Sequence, residues 1–208
     1  MNILTVLLML TSFSLTRVSH MKTAVQLLVA QSLMVAAVCV VVAAETASLH
    51  GYLVAGLTLV VKAGLIPFSL LRMLKASRHE REIHPILSYN LSSLAAGLCL
   101  VLAHSIVGQA KIGADNGEAL ASAIALTLLG LMLIMTRRQA LMQVVGLLTM
   151  ENGLYLVGLS ITHGLPLIIE LGIFFDVLVV AVVLSILIRR LRLKGLSTDT
   201  SQLQELKG

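Results

Sequence analysis

Tryptophan is missing from this chain, and it holds only four phenylalanines and three tyrosines in 208 residues. So few aromatics give a weak interfacial belt and no platform for stacking bases, so no nucleic-acid partner is expected. The two cysteines, Cys39 and Cys99, fall in separate apolar stretches without a Cys-x-x-Cys partner. That excludes a cysteine-ligated zinc or iron–sulfur site built from this chain alone, and it leaves no disulfide framework. The six histidines are scattered and form no metal-ligand pair within one helix. Charge is scarce as well. Charged residues make up 12% of the chain, where soluble domains carry about 25%.

What fills the chain is apolar: 58% of residues, with a mean hydropathy of +0.99. A membrane-crossing helix needs about 20 apolar residues, so this length holds at most about seven with short connectors. The stretches fall at 3–16, 24–44, 51–71, 86–108, 119–136, 140–162 and 166–188. The expected fold is an all-α integral membrane protein with about seven transmembrane helices, or six if the short first stretch is not a span. No basic segment precedes that stretch and no small-residue cleavage pattern follows it, so it reads as a retained helix rather than a signal peptide.

The basic residues set the orientation. Arg17 and Lys22 follow the first span, and Arg72, Lys75, Arg78 and Arg81 follow the third. Arg137 and Arg138 follow the fifth, and Arg189, Arg190, Arg192, Lys194 and Lys207 follow the seventh. The alternate connectors hold Lys111 alone, beside Glu45, Asp115 and Glu118. By the positive-inside rule the N-terminus lies outside and the C-terminus in the cytoplasm. The net charge of +5 is therefore a set of membrane flanks. Only Lys62 stands apart from them.

Lys62, Glu151 and Asp176 are ionisable residues within spans 3, 6 and 7. A charge at the bilayer centre costs about 2.5–3.5 kcal/mol on insertion scales, so such residues mark function by default. Glu151 lies 13 residues after Arg138, and Asp176 lies 13 before Arg189. At a rise of 1.5 Å per residue both sit roughly 20 Å from the cytoplasmic edge. Lys62, ten residues before Arg72, sits roughly 15 Å deep, beyond the roughly 6 Å over which a lysine can snorkel. All three fit one central layer. They read either as titratable groups on a proton or ion path or as static buried pairs.

Glu170, six residues before Asp176, sits near the outer end of span 7 as the exit of such a path or as an interfacial charge. Glu45 reads as a solvated helix end, His104 as a packed polar residue, and Arg78–Glu82 as a solvated cytoplasmic turn. Pro67 is expected to kink span 3 near Lys62 and free carbonyls there. Asn152 and Gly153 give span 6 polarity and a thin backbone that another helix can approach.

Residues 137–152, Arg-Arg-Gln-Ala-Leu-Met-Gln-Val-Val-Gly-Leu-Leu-Thr-Met-Glu-Asn, resemble a stretch of the small K-type membrane subunit of respiratory complex I. Asp176 followed by Arg189-Arg190, and the tail from Asp199 to Gly208, match the end of that family. Its first carboxylate would fall at Leu148, so Glu151 comes about one turn later, and its second is Asp here rather than Glu. The fuller set of segments is similar to component E of hydrogenase-4, a membrane subunit of complex-I-like nickel–iron hydrogenases. These segments are Met9-Leu10-Thr11-Ser12, Gln31-Ser32-Leu33, Ala43-Ala44-Glu45, Lys62…Pro67, Met150-Glu151-Asn152-Gly153 and Glu170…Asp176.

That resemblance implies antiporter-like membrane subunits, other membrane subunits and a peripheral hydrogenase arm as partners. The nickel–iron and iron–sulfur centres would sit in those partners, with no cofactor in this chain. It also divides the chain into four N-terminal helices (1–117), a K-type three-helix unit (118–192) and a cytoplasmic tail (193–208). The expected function is that of a non-catalytic, multi-pass subunit of a proton- or sodium-translocating hydrogenase complex in a prokaryotic inner membrane. Lys62, Glu151, Asp176 and Glu170 would line its ion path. The alternatives are a subunit of a multi-subunit cation/proton antiporter and a structural spacer whose buried ion pairs are static.

Overall fold

In lipid a backbone must satisfy its own amides and carbonyls, and a single apolar segment does so only as a helix. The computed structural model describes residues 2–45, 49–76, 86–110, 114–162, 174, 177–182 and 185. Helix α1 runs Asn2–Arg17 and α2 Met21–Glu45. Helix α3, Leu49–Thr58, continues through a π-helical segment, Leu59–Leu65, into α4, Ile66–Ala76. Then come α5 (Tyr89–Gln109), α6 (Ala114–Thr136) and α7 (Ala140–Thr162). No strand element occurs among the described residues.

Among the described residues five stretches are long and apolar enough to cross a membrane: Met21–Ala44, Ala55–Arg72, Tyr89–Gln109, Gly117–Thr136 and Ala140–Ile161. The first expected span is a shorter apolar helix, Val6–Arg17. The seventh, 166–188, lies mostly outside the described residues, as do Glu170, Asp176, the Arg78–Glu82 run and the tail. Several helices extend past their apolar stretches, because backbone hydrogen bonding carries the helix on through Lys22 and Glu45.

Helices α6 and α7 form the closest pair. Gly153 faces Thr127, Gly130 faces Met150 and Gly146 faces Ile134, a fixed antiparallel register. A methyl group on Gly130 or Gly153 would collide with the backbone opposite, and one on Gly146 would lie 2.9 Å from Ile134 N. Between lipid-soluble helices, close packing replaces the hydrophobic effect as the source of association, and small residues permit it. The thin backbone expected at Gly153 is used in this way. Helix α7 also packs on α2, and Leu28 of α2, Leu70 of α4 and Met142, Val145 and Leu148 of α7 share one buried cluster.

The α6–α7 corner carries a departure from the sequence reading. Arg138 is exposed, as a membrane flank should be, whereas Arg137 is 1% exposed. Its guanidinium donates to the carbonyls of Leu15 at 3.2 Å and Thr16 at 2.6 Å, at the C-terminal end of α1. It also lies 5.6 Å from the centre of the Tyr89 ring. The last turn of a helix leaves carbonyls without helical donors and carries partial negative charge. A buried cation there satisfies both. Arg137→Met is expected to destabilise the protein by about 3 kcal/mol, since charge-assisted hydrogen bonds contribute about 1.5–3 kcal/mol. Arg137→Lys should fall between, because a point charge lacks the fork that spans two carbonyls. Thermal unfolding in detergent would measure both, and equal midpoints for Met and wild type would refute the capping role.

Candidate functional site: a buried lysine–glutamate pair

The site begins with a proline. In α register Pro67 would crowd the carbonyl four residues back and has no N–H to donate. The chain responds by widening ahead of it, into the π-helical segment Leu59–Leu65. The N–H of Ile66 donates to the carbonyl of Val61, five residues back. In that register residue 67 would serve the carbonyl of Lys62, and proline has no hydrogen to offer. Segments of π-helix concentrate at functional sites, and this one holds Lys62 on its buried side.

Lys62 is 3% exposed and Glu151 4%, and Nζ lies 2.8 Å from Glu151 Oε1. The same Nζ donates to Asn152 Oδ1 at 3.3 Å, and it lies 5.7 Å from the centre of the Tyr155 ring. Glu151, Asn152 and Tyr155 come from one stretch of α7, with Tyr155 one turn beyond Glu151. An ammonium only donates, so the Asn152 amide must turn its oxygen to Lys62. Its Nδ2 and the second oxygen of Glu151 are buried and have no protein hydrogen-bond partner. The cluster therefore sets a basic group against an acidic one and leaves the Asn152 amide nitrogen and the second Glu151 oxygen for water or a neighbouring group.

A second polar cluster ties α1, α2 and α7 together. Gln31, fully buried, donates to Ser12 Oγ at 2.9 Å. The Thr149 hydroxyl reaches Gln31 Oε1 at 3.2 Å and the Val145 carbonyl at 2.8 Å, so its single proton serves them in turn. Ser12 in turn donates to the Leu8 carbonyl at 2.6 Å. All donors point one way and the chain ends on a backbone oxygen. This is a clamp between helices, with no onward acceptor for a proton.

Of the four residues expected on an ion path, Lys62 and Glu151 meet directly, and Asp176 and Glu170 lie outside the described residues. The sequence reading missed Tyr155 and Arg137. Spacing of four from Glu151 was the signal for Tyr155; nothing in the sequence separates Arg137 from Arg138. His104 is exposed rather than packed, its Nδ1 2.9 Å from the Leu100 carbonyl of its own helix. Among the described residues no group of three or more His, Cys, Asp or Glu is placed to hold a metal ion.

The uncharacterized protein Rv0085 of Mycobacterium tuberculosis is 32% identical over 153 residues, 72% of this chain and 69% of its own length. Hydrogenase-4 component E of Escherichia coli is 32% identical over 120 residues, 57% of this chain and 56% of its own length. Component E of Shigella flexneri matches over the same shares. The chain thus spans little more than half of component E. No family model matches the chain, and no solved structure matches it significantly.

Proposed function

The chain belongs to one family with the uncharacterized protein Rv0085, and from that premise we propose that it is a membrane subunit of a hydrogenase complex. Its likeness to hydrogenase-4 component E supports the assignment. In this reading the subunit is non-catalytic and sits in a prokaryotic inner membrane, N-terminus outside and C-terminus cytoplasmic. Residues 118–192 form its K-type unit, and antiporter-like membrane subunits and a peripheral hydrogenase arm are its partners. Nickel–iron and iron–sulfur centres belong to those partners. Lys62 and Glu151 take up and release protons, or exchange charge with sodium ions, and Asp176 and Glu170 continue the path.

The observation that carries the ion-path reading is the 2.8 Å contact between Lys62 and Glu151 within helices otherwise apolar enough to cross a membrane. Both charges are desolvated, a costly arrangement for stability alone. The open oxygen of Glu151 is a place where a proton can be exchanged without breaking the contact to Lys62. One observation favours the static-spacer alternative: Lys62 is held by a carboxylate, an amide oxygen and a ring at once.

Purification of the tagged protein from its native membranes in mild detergent, with mass spectrometry of what stays bound, tests the assembly. Nickel–iron hydrogenase subunits together with antiporter-like proteins are expected. Antiporter subunits alone would move the protein to a cation/proton antiporter, and the chain by itself would overturn the complex.

A further inference from the structure

Lys62 and Glu151 stand on two elements that meet through side chains rather than by close backbone packing, and α2 packs against both. Helix α2 therefore sets how the two elements stand to one another. Along it Leu28, Gln31 and Val35 follow one another at helical spacing, and all three are buried. Leu28 shares a cluster with Val145 and Leu148 of α7, and Val35 shares one with Tyr155. Apolar contacts of this kind are non-directional, so they hold helices together without fixing a small slide or turn. A hydrogen bond weakens steeply with distance and angle. Gln31 makes one to α7, accepting from the Thr149 hydroxyl at 3.2 Å, two residues before Glu151.

We infer that Gln31 is a positioning residue for the buried pair. By engaging Thr149 it fixes the height and rotation of α7 at which Glu151 meets Lys62. The consequence for transport rests on the ion-path reading. The amide is itself oriented from α1. Ser12 donates to the Leu8 carbonyl, so its oxygen accepts from Gln31 Nε2 at 2.9 Å and turns Oε1 toward α7. Among the described residues Thr149 is the donor to that oxygen, and a buried acceptor that loses its donor is costly. The Val145 carbonyl, 2.8 Å from the same hydroxyl, also lies within reach of a backbone N–H of its own helix. The grip on α7 thus comes from Gln31.

Solid-state NMR of the intact complex in lipid reads the pair directly, with lysine Nζ labelled as nitrogen-15 and glutamate Cδ as carbon-13. The close-contact dipolar signal that Lys62→Met removes belongs to it. That signal is expected to survive Thr149→Ser, which keeps the hydroxyl, and to be lost in Thr149→Val and Gln31→Leu. Substrate-driven proton uptake by inverted membrane vesicles, taken per assembled complex, should follow the signal. A misplacement of about 1 Å can cost about a hundredfold in rate, so Thr149→Val and Gln31→Leu should lose at least about tenfold. Arg137→Met weakens the fold elsewhere and should leave both readouts unchanged. Retention of the signal in Thr149→Val, its equal loss in Thr149→Ser or Arg137→Met, or its absence from the wild type would overturn the inference. Where Gln31→Leu does not fold, the two Thr149 variants still decide it. Loss of the signal with undiminished uptake would leave the positioning role standing and sink the ion-path reading instead.

Discussion

Lys62→Met is expected to destabilise the protein by about 3–5 kcal/mol, the cost of leaving a buried charge without its partner. Glu151→Leu should cost a similar amount for the opposite reason, because it removes the carboxylate beside a buried ammonium. The double variant is the informative one. With both charges of the pair gone neither has to be desolvated, and replacing a buried pair by apolar residues is often neutral or stabilising by about 1–4 kcal/mol. Lys62→Met/Glu151→Leu should therefore recover the wild-type unfolding midpoint in detergent. If the pair lies on an ion path, proton uptake by vesicles should be lost in the double variant as in each single one. Stability and transport thus part company if the pair lies on an ion path. A double variant that regains both would show that the pair only holds the helices together.

The second large effect lies in the α6–α7 contact. Gly130→Ala is expected to prevent close packing, because its methyl would meet the backbone N and Cα of Met150 rather than a movable side chain. Overpacking in a tight interior costs about 1–3 kcal/mol, and an obstacle made of backbone puts this site at the upper end. Met150 adjoins Glu151, so the same displacement would pull the carboxylate from Lys62 and, if the pair lies on an ion path, reduce proton uptake. Gly97 supplies the control. An added methyl there meets nothing within 4 Å, and alanine is the better helix former by about 1 kcal/mol. Gly97→Ala should match or exceed the wild-type midpoint. Equal midpoints for the two variants would show that the helices part at little cost.

Much of this was legible from the chain because lipid simplifies the reading. Apolar length marks the stretches able to cross a membrane, and the observed helices begin and end within a few residues of them. Depth counted from Arg72 and Arg138 put Lys62 and Glu151 in one layer, where they meet. What the sequence hides is rotation about each helix axis. Arg137 and Arg138 are adjacent and chemically identical, yet one is buried and the other exposed, because only Arg137 is turned toward the end of α1. Gln31 shows the same limit. A lone amide in an apolar run signals a buried hydrogen bond, but its partners Ser12 and Thr149 are distant in sequence and set by packing. Proline marked the disturbance in the third stretch correctly, and only the backbone shows that it takes the form of a widened helix.

The Arg137 cap also orders the making of this protein. Its guanidinium serves a carbonyl on Thr16, 121 residues earlier in the chain. At synthesis rates of about 5–20 residues per second, the first helix waits roughly ten seconds in or beside the insertion machinery before its cap exists. During that interval its final turn must stay near water, headgroups or a chaperoning surface. Maturation of the N-terminal end is therefore timed by the arrival of the sixth and seventh helices, and a nascent chain stalled before residue 137 would present an unfinished first helix to quality control.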